Sequence, residues 1–230
     1  MKKLVVLTGA GISAESGIST FRDSDGMWEK YPVMDVASHT GFVKNPALIH
    51  EFYNNLRRDL VTRKPNHAHE ALVDLEKYFD VDIITQNVDN LHEMAGSKKV
   101  LHLHGELMKV RSMRDENLVY TLTQDNLETS VDTRINGDPV RPHIVFFEEV
   151  VPNMDPAIEI VRQADILVVI GTSLVVYPAA SLLYYVKKGT PIYYIDPKPS
   201  DELRGKSWLT IIDKKASQGV DILKDMIVGK

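Results

Sequence analysis

Short apolar runs alternate with amphipathic stretches along most of the chain. The runs are rich in β-branched residues and predict strands that are buried on both faces, at 4–8, 81–85, 100–103, 166–170, 192–195 and 209–212. The stretches between them carry apolar residues near a 3.6-residue period and predict helices at 46–62, 67–78, 155–163, 178–187 and 217–227. This alternation predicts an α/β fold, a doubly wound parallel sheet with helices on both faces.

Two segments depart from the alternation. Residues 23–46 predict a loop that leads into an inserted helix. Residues 109–142 are polar and predict a small β/turn module, because Asn136-Gly137 is a turn signal and Pro139 should interrupt any β ladder. A chain of 230 residues is long enough for one large domain with such an insertion.

Composition narrows the function classes. The formal net charge is −5 and no segment concentrates Lys and Arg, so we expect no nucleic-acid partner. The longest apolar runs are too short to span a bilayer, and the N-terminal run resembles a first strand more than a secretion signal, so we expect a cytoplasmic protein with no membrane contact. The absence of cysteine excludes disulfides, thiolate zinc ligands and a cysteine nucleophile.

The first predicted strand ends in the glycine-rich turn Thr8-Gly9-Ala10-Gly11-Ile12-Ser13. Gly9 and Gly11 allow the backbone to approach a pyrophosphate, whose charge meets amide groups at a helix start. The third glycine, Gly17, follows Gly11 by six residues and not three, so the usual dinucleotide fingerprint is not met. The spacing alone fits a tight strand-to-helix connection equally well.

Four sequence blocks in order make the pattern specific. They are 9–13 continuing into Gly17-Ile18-Ser19-Thr20-Phe21-Arg22, then Thr85-Gln86-Asn87-Val88-Asp89-Asn90-Leu91-His92, then His102-Leu103-His104-Gly105, then Gly171-Thr172-Ser173-Leu174 with Val176-Tyr177-Pro178-Ala179. With these blocks the chain resembles the sirtuin family over nearly its whole length apart from the polar module. The resemblance implies NAD-dependent removal of acyl groups from protein lysines, giving nicotinamide and O-acyl-ADP-ribose.

The resemblance also implies an architecture. Sirtuins have a large Rossmann-like domain and a small one, with NAD and an extended acyl-lysine peptide in the cleft between them. Here the large part would comprise 1–22, 66–108 and 143–230, and the small part the insertions 23–65 and 109–142. We expect a monomer whose partners are acyl-lysine proteins or peptides.

By resemblance, His104 is the general base that takes a proton from the NAD ribose, and an imidazole near its free pKa suits that role. The alternative is that His102 and His104 are polar residues on one face of a strand end, and for His102 we favour such a structural role. Asn87 and Asp89, with Ser13, would line the nicotinamide pocket. Asp89 would accept a hydrogen bond from the carboxamide amine, and Asn87 would hold ribose or an ordered water. Helix capping is the alternative for both.

The resemblance assigns further contacts to the cofactor and the peptide. Phe21 would shield the reacting sugar carbon from water, and Arg22 would reach the phosphates. The peptide would add as a strand between 145–149 and 174–177, with Phe147 and Val176 around the lysine stem. The remaining cofactor contacts would be Gly9, Ala10, Gly11, Gln86, Gly171, Thr172, Ser173, Asp196 and Ala216.

The sequence departs from the family in two places. Most sirtuins bind zinc through four cysteines, but Ser112 and Met113 stand near the first expected pair, and the eight histidines are too scattered to replace the site, so we predict no structural zinc. Sirtuins that remove succinyl or malonyl groups carry Tyr, two residues, then Arg. Tyr53 matches, but Leu56 stands at the arginine position.

Arg57 is the next residue, and two roles for it stay open. It could read an acidic acyl group from the neighbouring helical surface, or it could be solvated while Phe52, Leu56 and Leu60 form the core stripe. Two other functions are alternatives to deacylation. An ADP-ribosyltransferase or NAD hydrolase could use the same scaffold, and an inactive NAD sensor is disfavoured by the intact set of Ser13, Asn87, Asp89 and His104.

Overall fold

The computed structural model describes residues 1–19, 31–174 and 177–229. A parallel six-stranded sheet forms its centre, and all six strands predicted from the apolar runs are confirmed. In chain order they are β1 (Lys3–Thr8), β2 (Asp80–Thr85), β3 (Val100–His102), β8 (Ile166–Ile170), β9 (Ile192–Ile195) and β10 (Leu209–Ile212). The strand order is β10-β9-β8-β1-β2-β3. The sheet therefore extends from β1 through β2 to β3 on one side, and from β1 through β8 and β9 to β10 on the other.

The side-chain alternation of β1 explains how both faces of the sheet are covered. Leu4 and Val6 point into one core, and Val5 and Leu7 point into the other. The first core lies under α4 (His67–Leu75) and α8 (Ala216–Val228), and the second under α6 (Met154–Arg162) and a 3₁₀ helix at Ala179–Tyr185. These two layers make the sheet doubly wound.

Helices account for two differences from the sequence prediction. The segment 178–187, predicted as an α-helix, is a 3₁₀ helix at Ala179–Tyr185, in which Ala179 and Leu182 are buried three residues apart, as the tighter period requires. The described part of 23–46 is not a loop. It forms α1 (Val33–Val36) and α2 (His39–Lys44), whose first turn is capped by Ser38. Next comes α3 (Pro46–Leu60), and α5 (Leu91–Ala95) follows β2.

The polar module is a second, antiparallel sheet. Its strands are β4 (Gly105–Ser112), β5 (Val119–Thr121), β6 (Arg134–Ile135) and β7 (Asp138–Ile144), in the order β5-β4-β7-β6. Asn136 and Gly137 both adopt positive φ between the paired residues Ile135 and Asp138, so the predicted Asn-Gly turn is confirmed. Pro139 does not interrupt β7. It only ends the pairing with β6, and β7 continues along β4.

A buried polar network attaches this module to α3. The Asn54 amide bonds both main-chain groups of Thr129, accepting from its N–H at 3.0 Å and donating to its C=O at 2.8 Å. The Thr129 hydroxyl lies 2.9 Å from Nδ1 of His50 and accepts from Nη1 of Arg57 at 3.3 Å. Buried polar groups that bond one another in this way fix one arrangement of helix and loop.

Within the described ranges, no helix has both the length and the apolar character needed to cross a bilayer.

Candidate active site

The site lies at the carboxyl ends of β1 and β8, where the strand order reverses. Ligands of open α/β sheets bind at such a switch point. Glycines allow the two strand ends to meet there: a Cβ on Gly11 would stand 2.6 Å from Cα of Gly171, and one on Gly9 would stand 2.7 Å from Cβ of Thr172. Gly171 itself has a φ of 63°. The turn after β1 therefore requires glycine for close backbone packing.

A buried polar group lies beneath this turn. The Ser13 hydroxyl donates to Oδ2 of Asp89 at 3.0 Å and accepts from Nδ2 of Asn87 at 3.2 Å. All three residues are less than 9% exposed. The structure thus brings together the three residues assigned to the nicotinamide pocket, which come from the turn after β1 and the loop after β2.

The electrostatics of Asp89 follow from its burial. Burial raises the pKa of its carboxyl, although hydrogen bonds from the main chain of Leu91 and from Ser13 oppose the shift. The bond to Leu91 N–H is the capping contact considered from the sequence, and it uses only Oδ1. Asp89 therefore bonds the first residue of α5 through Oδ1, although Asn90 holds the N-cap position, and bonds Ser13 through Oδ2.

His104 follows β3 and is held by the same loop. Its Nδ1 lies 3.0 Å from the carbonyl oxygen of Gln86. Because a carbonyl only accepts, Nδ1 carries the proton and Nε2 of the neutral ring keeps its lone pair. Burial lowers the pKa of His104 below its usual value, which keeps the ring unprotonated at neutral pH. The geometry is that of an oriented base.

The other side of the cleft is tied to this loop. Nε2 of Gln86 donates to the Thr172 hydroxyl at 3.1 Å, and the Thr172 carbonyl accepts from the Tyr194 hydroxyl at 2.7 Å. Asp196 directly follows β9 and is buried, and its Oδ1 accepts from the main chain of Lys198 at 2.8 Å. The other residues on this side are Ala10 in a 3₁₀ turn, Ser173 after β8, and Ala216, which is buried at the start of α8.

The segment after β7, expected to bind peptide, is already fixed on one edge. Phe147 donates its N–H to the Ala37 carbonyl at 2.8 Å and accepts from His39 N–H at 3.0 Å, while its ring is 46% exposed. Glu149 accepts from Arg141 at 2.6 Å. Burial opposes the ionisation of Glu149, but the hydrogen bonds from Arg141, the Phe146 main chain and His39, together with the charge of Arg141, lower its pKa.

Both expected peptide-binding segments contain a residue in the left-handed backbone region. Glu148 has a φ of 75° and Leu174 a φ of 56°, and neither is a glycine. Such strain collects at functional segments.

The structure excludes one of the two roles that the sequence left open for Arg57. Its side chain is fully buried, so the alternative in which Arg57 is solvated is wrong. Nε donates to the Leu107 carbonyl at 2.8 Å and Nη1 to Oδ1 of Asn54 at 2.9 Å, whereas Nη2 has no hydrogen-bond partner. Burial lowers the pKa of Arg57 to about 10, so the guanidinium stays charged at neutral pH. Phe52 and Leu60 lie in the core as expected.

Tyr53 is also buried, in an aromatic cluster with Phe52 and Phe146. Phe21, Arg22 and Val176 lie outside the described residues. In the part of the chain that the structure describes, no group of three or more acidic or histidine side chains is arranged to hold a metal ion.

Sequence reasoning missed the residues beneath the pocket. Thr8 and Thr85 end β1 and β2 with fully buried hydroxyls, and Thr8 donates to Thr85 at 2.9 Å. Polar residues at the last position of two buried strands were a usable signal. His92 and Glu93 were missed because their contacts are made across the fold.

The chain was compared with known proteins. The Sir2 family model matches residues 9–178. A Bacteroides thetaiotaomicron protein named NAD-dependent protein deacylase is 52% identical over 232 residues, covering 99% of each chain. A Helicobacter pylori protein of the same name is 57% identical over 199 residues, covering 86% of each chain.

Solved structures give the same result. A Sir2 homolog in complex with NAD superposes with a TM-score of 0.86 at 37% identity, covering 99% of this chain and 90% of that one. A Sir2 variant with a deacetylated p53 peptide and 3′-O-acetyl ADP-ribose gives 0.80 at 33% identity, covering 97% and 93%. Family model, relatives and structures agree with one another, and the chain belongs to the Sir2 family, the sirtuins.

Proposed function

We propose that this protein removes acyl groups from protein lysines in an NAD-dependent reaction, with His104 as the general base. The observation that carries the proposal is that two consecutive residues join the base to the pocket. The Gln86 carbonyl orients His104, and the Asn87 side chain bonds Ser13. The relatives named NAD-dependent protein deacylase support the same activity.

The residues present fit NAD. Glycines at the switch point give the backbone close approach, and the buried Ser13, Asn87 and Asp89 offer oxygen and amide groups suited to a carboxamide. When bound, NAD supplies a ribose carbon from which nicotinamide can leave. Asp89 accepts a hydrogen bond from the carboxamide amine, and Asn87 orients the ribose or a water. Nε2 of His104 takes a proton from a ribose hydroxyl. Thr172, Ser173, Asp196 and Ala216 bind the adenosine half.

We also propose separate roles for the two parts of the chain. The Rossmann-like part, 1–22, 66–108 and 143–230, binds NAD, and the insertions 23–65 and 109–142 close the cleft over the acyl-lysine peptide. The second sheet begins at Gly105, so the proposed boundary falls inside β4. Phe147, which is exposed, would pack beside the lysine stem.

The acyl group is proposed more broadly: acetyl, with succinyl or malonyl as further candidates. Tyr53 would contribute to the acyl end of the peptide site. Leu56 stands where an acyl-reading arginine is expected, so our candidate for bonding an acyl carboxylate from that helix is the Nη2 group of Arg57, which has no hydrogen-bond partner.

Mass spectrometry on acetylated and succinylated peptides with NAD tests the proposal. We expect one O-acyl-ADP-ribose and one nicotinamide per deacylated lysine. Nicotinamide release without peptide would identify an NAD hydrolase, and an ADP-ribose mass added to protein would identify a transferase. NAD binding without turnover would identify a sensor. Each of these three results would replace deacylation as the function.

A monomeric state and a cytoplasmic location stay predictions from the sequence. Sedimentation of the purified protein measures the first, and cell fractionation measures the second.

A further inference from the structure

The main chain of Asn87 is held at both ends by side chains from outside the pocket. Its N–H donates to the Thr85 hydroxyl at 3.0 Å, and its carbonyl lies 2.9 Å from Nδ1 of His102. These bonds fix the two peptide planes that flank Asn87. They therefore fix the direction of its side chain, and they constrain Asp89 two residues later.

On the N–H side, a chain of buried hydroxyls leads to His92. Thr85 accepts from both Asn87 N–H and the Thr8 hydroxyl. The Thr8 oxygen is then free to accept, and Nε2 of His92 lies 3.0 Å from it. Burial holds the pKa of His92 well below its usual value, so this ring is a neutral donor.

On the carbonyl side, the contact is charged. Nδ1 of His102 must carry a proton because the Asn87 carbonyl can only accept. Nε2 lies 2.9 Å from Oε1 of Glu93, a carboxylate that also accepts, so both ring nitrogens are protonated. Burial opposes this charge, but the hydrogen bond and charge of Glu93 outweigh it and raise the pKa of His102.

One short helix supplies both contacts, since His92 and Glu93 are consecutive in α5. We propose that His102 and Glu93 are positioning residues for the nicotinamide subsite, because they hold the Asn87 main chain so that Ser13, Asn87 and Asp89 are preformed. This inference rests on the proposed function only for the identity of the ligand. Neither residue is among those proposed to contact the cofactor.

Calorimetric titration with NAD and with ADP-ribose tests the proposal, because ADP-ribose lacks the nicotinamide. We expect His102→Leu to weaken NAD binding about tenfold, the size of one misplaced hydrogen bond, and to leave ADP-ribose binding within about twofold. His102→Asn should restore most of the NAD affinity, since an asparagine amide can still donate to the Asn87 carbonyl. Unchanged NAD affinity in His102→Leu, or equal losses for both ligands, would overturn the proposal.

Glu93→Ala provides a second variant in case His102→Leu does not fold, since the Glu93 side chain is 40% exposed. We expect the same ligand-selective loss at about two- to fivefold. The matched control is Glu106→Ala, which removes a carboxylate whose charge also acts on His102 without a hydrogen bond to it, and which should bind both ligands normally. A Glu93→Ala protein that matches this control would contradict the proposal.

Deacylation by the unmodified protein is measured in parallel. A ligand-selective loss in the variants with no wild-type turnover would refute the proposed function and leave the positioning role intact. Wild-type turnover without a ligand-selective loss would support the proposed function and refute the positioning role.

Discussion

At the residue scale, the hydrogen-bond partners of each ring nitrogen decide histidine protonation states that the sequence leaves open. His102 and His104 are two residues apart, and both place Nδ1 against a main-chain carbonyl of the loop after β2. They differ in the partner of Nε2. Glu93 charges the first ring, whereas burial keeps the second neutral. One histidine is therefore suited to support and the other to proton transfer.

His104→Ala tests the assignment of the base. We expect deacylation to fall by at least about 10²-fold while NAD affinity is largely kept, because the base acts after the cofactor is bound. For the wild type, kcat/KM should fall with acidity only below pH 6.5, since the pKa of His104 is lowered from that value. His67→Ala, which removes an exposed imidazole, is the control. Normal turnover in His104→Ala would refute the role.

Arg57→Ala separates an acyl-reading role from a structural one. Because the guanidinium is buried against Leu107 and Asn54, we expect a loss of about 2–4 kcal/mol in unfolding free energy, measured by denaturant titration. If the role is structural only, kcat/KM should change equally for acetyl and succinyl peptides. A selective loss on succinyl peptides would show that Nη2 reads the acyl carboxylate.

At the element scale, the pattern of apolar residues was sufficient to predict the elements that lie between the two hydrophobic cores. The central strands β1, β2 and β8 were predictable because their residues are buried on both faces. The edge strands β3 and β10 are only partly buried, but they were still predictable from their short apolar runs. The short helices α1 and α2 were not, since four- and six-residue helices are too short to show a period. The 3₁₀ helix was mistaken for an α-helix because a stretch of seven residues fits either period.

The sequence also could not show which contacts attach the polar module to α3. The link between Asn54 and Thr129 joins residues 75 positions apart, and Thr129 lies in a segment with no periodic signal. His50 and Arg57 converge on the same hydroxyl. Such contacts depend on tertiary packing, and so does the burial of Arg57.

Thr129→Val tests this attachment. The substitution keeps the shape and removes the hydroxyl that bonds His50 and Arg57, so we expect a loss of about 1–3 kcal/mol in unfolding free energy. Amide hydrogen exchange should rise more in β4 and β7 than in β1 and β8, because only the module loses its contact. Thr121→Val, an exposed threonine on β5, is the matched control. Equal exchange changes in both sheets would show that Thr129 is not the local attachment.

At the scale of the whole molecule, buried histidines couple stability to pH. Burial lowers the pKa of His50 to about 4 and that of His69 to about 4. Burial also lowers the pKa values of His92, His104 and His143. His102 shifts the other way, so its contribution is complete below the unfolded pKa and is lost as pH rises. The histidines with lowered pKa values outnumber His102, so they determine whether stability rises or falls with pH.

We therefore expect stability to fall as pH decreases from about 6.5 towards 4, because the unfolded chain binds protons there that the folded chain excludes. Each kcal/mol shifts Tm by roughly 2–4 °C at this chain length, so Tm at pH 5 should lie roughly 5 °C or more below its value at pH 7. His69→Gln should reduce this difference while keeping the capping of α4, since glutamine can also accept from Asn66 N–H. His67→Gln, at an exposed position, should leave it unchanged. A Tm that is flat or rising between pH 7 and 5 would mean that the histidines accept protons in the folded state, and the neutral buried rings described for this fold would then be wrong.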